Sequence, residues 1–450
     1  MVLDQQPNRS ANFTSESFGE TCRSQPTGSE MHLSVVTQFF PPDFAATGQL
    51  IEELVHQFRQ FDIDVKVFTG QPGYAFHSDS APLYEKIGSL QVKRSRSAQF
   101  WPKQVRGKAI NGVLFTIRAA LHLLKNYRRR NLLVVTTAPP FLPVLGYLNH
   151  LLFKVPYVCV LYDLYPDIAI ELEVIPGRHW LARFWQAMNE RVWRNAQGLI
   201  VLSPDMKQRI IGHCPEVANK VSVIHSWSDP SWITPVPKNK NWFALRYDLI
   251  QPFTILYSGN MGRCHDMETI LEAAKLLRNQ PIQFVCIGNG AKRKILIEQI
   301  KELGLNNFLF LPYQDREVLP YSLTACDLSL VSVSEGVESL VAPSKLYPAL
   351  SAGRPVTVVC PPHSYLNQLI EEAQCGKTFA NGDAEGLAAF IQLLMSDRDL
   401  AERMGKLGRR YLKNHFTPKM IAQQYLEVLL QAMAKQPGDR GSQIVQQRSL

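Results

Sequence analysis

Residues 31–58 read MHLSVVTQFFPPDFAATGQLIEELVHQF, and their pattern decides the fold class. Residues 33–36 form a short, nearly continuous apolar run, as expected of a strand covered on both faces. Leu50, Ile51, Leu54, Val55 and Phe58 then recur at i, i+1, i+4, i+5 and i+8, which is one apolar stripe of a helix. Similar short runs follow at 65–68, 132–135, 157–161 and 199–202. Strand, helix and strand in this rhythm predict a parallel, doubly wound α/β sheet.

The rhythm breaks at 225–252, where Pro230, Pro235, Pro237 and Pro252 are spaced by Asn, Lys and Asp. It restarts with apolar runs at 253–257, 284–287, 308–311, 328–331 and 356–359, with helical patterns between them, such as 267–277 and 292–303. We therefore expect two Rossmann-like domains, 31–224 and 253–415, joined by a linker at 225–252 and followed by a helix within 416–435. Ligands of such sheets bind outside the carboxyl ends of the strands, so the cleft between the domains is the expected site.

The composition fits this reading. Apolar residues make up 46% of the chain, enough for two cores. Residues 1–30 are polar without an apolar segment, so they read as a disordered extension, with Met31 as an alternative start. The tail at 436–450 reads the same way. The eight cysteines form no C-x-x-C pair and have no zinc spacing, which predicts reduced buried thiols and no metal site. Residues 138–162 are the most apolar stretch, but they are broken by prolines, His150 and Lys154, and read as a buried helix followed by a buried strand.

The net charge of +9 is unevenly placed. From Gln91 to Arg130 there are eleven Lys/Arg and no Asp or Glu, interleaved with Phe100, Trp101, Leu114, Phe115 and Ile117. An ordinary solvated basic face and a surface for anionic lipid headgroups both fit this stretch. No nucleic-acid module is present, so nucleic acid is not an expected partner.

The dinucleotide fingerprint is absent, because Gly288-Asn289-Gly290 lacks its third glycine. Gly376-Lys377-Thr378 resembles the end of a P-loop, but Glu371 stands where its first glycine belongs. What remains suits a diphosphate without either fingerprint. Tyr257-Ser258-Gly259-Asn260-Met261-Gly262 follows a strand and precedes a helix, with Arg263 and His265 at once after it, so close backbone and cations coincide. Ser344 reads as the N-cap of a helix running to about Ser351, with Lys345 beside it. Glu335 and Glu338 could bind sugar hydroxyls, although a solvated loop carboxylate would look the same.

Taken together, MHLSVVTQFFPPDFAATGQLIEELVHQF, VLYDLYPD, LYSGNMGRCHDMETILEAAKLL, CIGNGAKR and APSKLYPALSAGRPV resemble glycosyltransferase family four. Within it they resemble the bacterial surface-polysaccharide transferases of N-acetylfucosamine type. The resemblance covers about residues 31–435. It implies a glycogen-phosphorylase-type fold of two lobes, a nucleoside diphosphate sugar donor, retained anomeric configuration and neither metal nor cofactor. It places Ser258, Gly259, Asn260, Gly288 and Gly290 at the donor nucleotide, and Ser344 and Lys345 at its diphosphate. Thr47 and Gly48 would meet the donor from the other lobe, and Asp163 would lie where donor sugar and acceptor meet.

The chain departs from the family pattern. Asn260 and His265 stand where an arginine and a lysine are usual, and Leu340 and Pro348 stand where two glutamates are usual. The resulting expectation is transfer of a hexose-type sugar to a lipid-linked or glycan acceptor, by an enzyme peripheral to the cytoplasmic face of a membrane. Asp163, Lys345, Arg263 and His265 would carry the chemistry, and Glu338 would join the donor site. A nucleotide-sugar epimerase of the same fold and a catalytically degenerate subunit are the alternatives.

Overall fold

The structure, a computed structural model, describes residues 31–434 other than 44, 62, 73–80, 96–104 and 127–131. The extension 1–30, the tail 436–450, Phe100, Trp101 and the arginines at 128–130 lie outside the described residues. The described chain folds as two α/β lobes. The first runs β1 (His32–Val36), α1 (Ala46–Arg59), β2 (Asp64–Thr69), β3 (Tyr84–Ile87), β4 (Leu90–Arg94), α2 (Val105–Lys125), β5 (Leu132–Thr136), α3 (Pro143–Phe153) and β6 (Tyr157–Leu161). It continues through α4 (Asp167–Glu171), α5 (Trp180–Asn195), β7 (Gly198–Val201), α6 (Pro204–His213) and β8 (Val221–Val223). These strands form one sheet in the order β3-β4-β2-β1-β5-β6-β7-β8. Only β3 pairs antiparallel.

After a short helix, α7 (Trp242–Arg246), the second lobe runs β9 (Phe253–Ser258), α8 (Glu268–Leu276), β10 (Ile282–Ile287), α9 (Arg293–Glu302), β11 (Phe308–Leu311), α10 (Leu319–Thr324) and β12 (Leu328–Ser332). Then come α11 (Leu346–Ser351), β13 (Val356–Val359), α12 (Tyr365–Ala373), β14 (Gly376–Phe379), α13 (Ala384–Ser396) and α14 (Arg398–His415). Its all-parallel sheet is ordered β11-β10-β9-β12-β13-β14. The last helix, α15 (Pro418–Ala434), returns to the first lobe and packs on α1 and on β5, β6 and β7.

The apolar runs explain the centre of each sheet. β1 lies between β2 and β5, and β9 between β10 and β12, so the chain reverses direction beside each first strand. That reversal opens a crevice at the strand C-termini. The predicted stripe of α1 is its buried face: Leu50, Ile51, Leu54, Val55 and Phe58 are all buried. Each such side chain contributes about 1.5–3 kcal/mol of burial. Successive residues of β6 show the two helix layers. Tyr157 bonds the Val192 carbonyl of α5, while Val158 packs where Gly198 meets Val428 of α15.

Some sequence readings need correction, and others agree with the structure. Ser344 caps nothing: α11 begins at Leu346, and no side chain caps it. Its first amides are already bonded, Leu346 to the Pro343 carbonyl and Tyr347 to that of Ser344. Residues 138–162 do give a helix and a strand, but α3 is only half buried, with Leu152 66% exposed. Within the basic stretch, Arg94 is buried, pairs with Glu85 and bonds the Pro41 and Pro82 carbonyls. Phe115 is also buried and stacks on Phe68. The P-loop lookalike at Gly376 is the edge strand β14, where a Cβ would sit 1.7 Å from the Val356 carbonyl. All seven described cysteines are free thiols, six of them buried.

Candidate active site in the interlobe cleft

Two loops at the carboxyl ends of β9 and β10 interlock. The Gly259 amide bonds the Ile287 carbonyl, and the Met261 amide bonds that of Asn289. A Cβ at Gly288 would lie 2.2 Å from the Gly259 oxygen, and one at Gly290 2.3 Å from the Met261 oxygen. Both glycines have positive φ, +130° and +150°. Only glycine permits this close approach of the two loops.

Lys345 reaches this loop from the start of α11. Its Nζ donates to Tyr257 Oη at 2.5 Å and to the Asn260 carbonyl at 3.1 Å, and faces His265 Nε2 at 3.3 Å. His265 Nδ1 lies 2.7 Å from the Ser332 carbonyl, which requires the proton on Nδ1 and leaves a lone pair on Nε2. The ammonium thus has three acceptors for its three N–H bonds, and it also lies over the Tyr257 ring at 4.2 Å. Burial pushes Lys345 down to about 7. Burial, then the Lys345 charge, pushes His265 down to about 3. An incoming anion would both replace an acceptor and favour the charged lysine.

This geometry gives a physical account of two departures from the family pattern. The Lys345 ammonium lies against residues 260 and 265 together, where the sequence lacks the expected arginine and lysine. One cation from a different loop thus stands beside both positions. Arg263 is exposed on the same loop.

Across the cleft, Asp163 follows the fully buried β6. Its amide bonds Thr137 Oγ1 at 3.4 Å, as does that of Tyr162 at 3.0 Å. Its carboxylate makes no hydrogen bond among the described residues, so it is not a helix cap. Burial raises it to about 6. The backbone of Asp163 forms an antiparallel bridge with Val341, and the Leu164 amide bonds the Leu340 carbonyl at 3.1 Å. The loop before Lys345 therefore ties the lobes together and holds Asp163 near the donor loop.

The remaining predicted residues divide. Thr47 and Gly48 lie in the first turn of α1, with Gly48 packed against the Phe39–Phe40 backbone. Ser258 ends β9. Ser344 immediately precedes Lys345. Glu338 is not with them: it is buried and accepts from His363 Nε2 at 2.8 Å, with its other oxygen unpartnered. Glu335 lines a cavity of about 350 Å3 with Asp266 and Asn381. Sequence reading placed Tyr257 at the head of the loop without a role, and missed Thr137. A tyrosine ending an apolar run reads as core, and the only signal was its place just before Ser258-Gly259. Among the described residues, no group of three or more His, Cys, Asp or Glu is placed to hold a metal ion.

Each lobe matches a known protein family. The family described as Glycosyl transferases group 1 matches residues 250–411, and that described as Glycosyl transferase 4-like domain matches residues 46–227. WbjE of Pseudomonas aeruginosa, named as a probable glycosyltransferase, is 25% identical over 315 residues, 68% of this chain and 74% of its own. WcaI of Escherichia coli K12, named for a glycosyl transferase of colanic acid biosynthesis, is 36% identical over 131 residues, 28% of this chain and 32% of its own. In fold, the chain is similar to Anabaena HepE in complex with UDP and glucose, with a TM-score of 0.67 and 15% identity over 89% of this chain and 99% of that one. With one family spanning each lobe and the fold shared, the chain belongs to the group 1 glycosyltransferases.

Proposed function

We propose that this glycosyltransferase moves a hexose-type sugar from a nucleoside diphosphate sugar to a lipid-linked or glycan acceptor, retaining the anomeric configuration. The setting is polysaccharide assembly by an enzyme peripheral to the cytoplasmic face of an anionic membrane. The observation that carries this reading is the Lys345 ammonium, held by Tyr257, Asn260 and His265 against the glycine loops. The UDP and glucose named with HepE and the colanic acid in the name of WcaI point the same way.

The leaving diphosphate gains negative charge in the transition state. Lys345 and Arg263 would stabilise that charge, because the amides of Gly259, Met261 and Gly288 already bond backbone carbonyls. Departure breaks the bond from the anomeric carbon to the phosphate oxygen. The acceptor hydroxyl forms the new bond on the same face, and its proton passes to a phosphate oxygen of the leaving group. Asp163, poised near 6 on the opposite wall, would orient an acceptor or sugar hydroxyl. No metal or cofactor enters this scheme.

Incubating the protein with nucleotide sugars and a glycan or lipid-linked acceptor tests the proposal. Donor-dependent release of nucleoside diphosphate with a lengthened acceptor is expected. An altered sugar without release would instead support epimerisation. Inertness toward every donor would support a non-catalytic subunit.

A further inference from the structure

Helices α2, α3 and α5 pack side by side on one face of the first sheet, away from α1 and α15. Their outer surface is apolar where a water-facing surface is normally polar. Along α2, Ile110, Val113, Ile117, Leu121 and Leu124 are 41–54% exposed. Their spacing of three, four, four and three residues makes one stripe, about 21 Å long. The opposite side of α2, with Phe115, Ala119 and Leu123, is buried in the core. A helix apolar on both sides needs a second apolar environment. α3 extends the surface with Leu148, Leu151 and Leu152, and α5 with Trp180, 70% exposed, and Phe184, 57% exposed. Scattered exposed apolar residues are ordinary, but a patch shared by three neighbouring helices marks a contact surface.

Charge selects the occupant. From Lys86 to Tyr162 there are thirteen Lys/Arg and no Asp or Glu, so neither α2 nor α3 carries a carboxylate. Lys125, Lys154, Arg178 and Arg183 are exposed around the patch. A second copy docking here by two-fold symmetry would set this cationic surface against itself. An anionic bilayer meets both the apolar stripe and the cations. No described helix is long and apolar enough to cross a membrane, so the face would lie in the plane of the surface.

We propose that the α2–α3–α5 face docks on an anionic lipid bilayer, with the stripe of α2 below the headgroups and the flanking cations at the phosphates. Trp185 of α5 stacks on Tyr165 at 5.7 Å, two residues beyond Asp163, so the docked face adjoins the cleft. A lipid-borne acceptor can then reach Asp163 without leaving the bilayer. This last step rests on the acceptor reading given above, but the docking itself does not.

The test uses the whole chain with vesicles of phosphatidylcholine, alone or mixed with phosphatidylglycerol. Cosedimentation is measured at low and high salt, and mass in solution by light scattering. The wild type should bind the mixed vesicles and retain part of that binding at high salt. Ile117→Asp with Leu121→Asp should lower partitioning by about tenfold or more. Because both positions are exposed, the melting temperature and nucleoside diphosphate binding should not change. A blue shift of tryptophan emission on vesicles should shrink in Trp180→Phe. Unaltered binding by the double aspartate variant would overturn the assignment of this face. Failure of the wild type to bind any vesicle would overturn the docking and the membrane setting together, while leaving donor binding intact. A dimer that the aspartates dissociate, without vesicle binding, would make the face an interface between copies.

Discussion

Asp163→Asn is expected to make the protein more stable and to remove its transferase activity. The carboxylate sits at the end of a fully buried strand without a hydrogen-bond partner among the described residues, and burial moves it from 3.8 to about 6. Each pH unit of such a displacement is worth about 1.4 kcal/mol. The ionised carboxylate therefore costs up to about 3 kcal/mol at pH 8. The sign follows from the order of the two values. The folded form binds its proton more tightly than the unfolded one, so stability is greatest below 3.8 and is lost as pH rises through 6. Asparagine keeps the shape without the charge. It should recover most of that cost at pH 8 and only about 0.5 kcal/mol near pH 4. Urea unfolding of both proteins at the two pH values measures the difference, and donor turnover measures the activity. Equal or lower stability of the variant at pH 8, with activity kept, would show that the carboxylate holds the fold rather than a ligand.

Further outcomes concern the lysine cradle. Lys345→Ala should lower catalytic efficiency ten- to a hundredfold, the effect of about 1.5–3 kcal/mol for a charge-assisted contact. His265→Lys in that background should recover about tenfold, since Lys345 Nζ lies only 3.3 Å from His265 Nε2 in the wild type; no recovery would refute the relocated cation. Because burial holds Lys345 near 7, it is largely uncharged at pH 8, and a bound diphosphate should restore its proton. Affinity should then fall as pH rises above 7. Calorimetry in buffers of different ionisation enthalpy should show uptake of about one proton near pH 8, absent in Lys345→Met.

The lobes were legible because parallel strands buried on both faces leave unbroken apolar runs, and every run from 33–36 to 356–359 lies in a sheet. The elements that escaped notice lack that signature. β3 and β4 mix Tyr84, Glu85 and Lys86 with Gln91 and Lys93 at a sheet edge, and β8 has only three residues. The glycine loop and Lys345 were legible as residues, but their contact was not. Nothing in a linear sequence brings position 345 to positions 257, 260 and 265. The same holds for Glu338, whose pairing with His363 depends on how the chain folds back after β13. Ser344 misled because a serine before an apolar segment is a common helix cap. Here Ser344 and Lys345 form a turn, and the helix begins only at Leu346.

The central claim is that the cleft binds a nucleoside diphosphate with Lys345 at its diphosphate. Calorimetric titration of wild type and Lys345→Ala with a nucleoside diphosphate and with the matching nucleoside tests it most directly. The diphosphate is chosen as the one that raises the melting temperature most. The account predicts that the substitution weakens the diphosphate about ten- to a hundredfold and leaves the nucleoside unchanged. Equal losses for both ligands, or no loss for either, would contradict it.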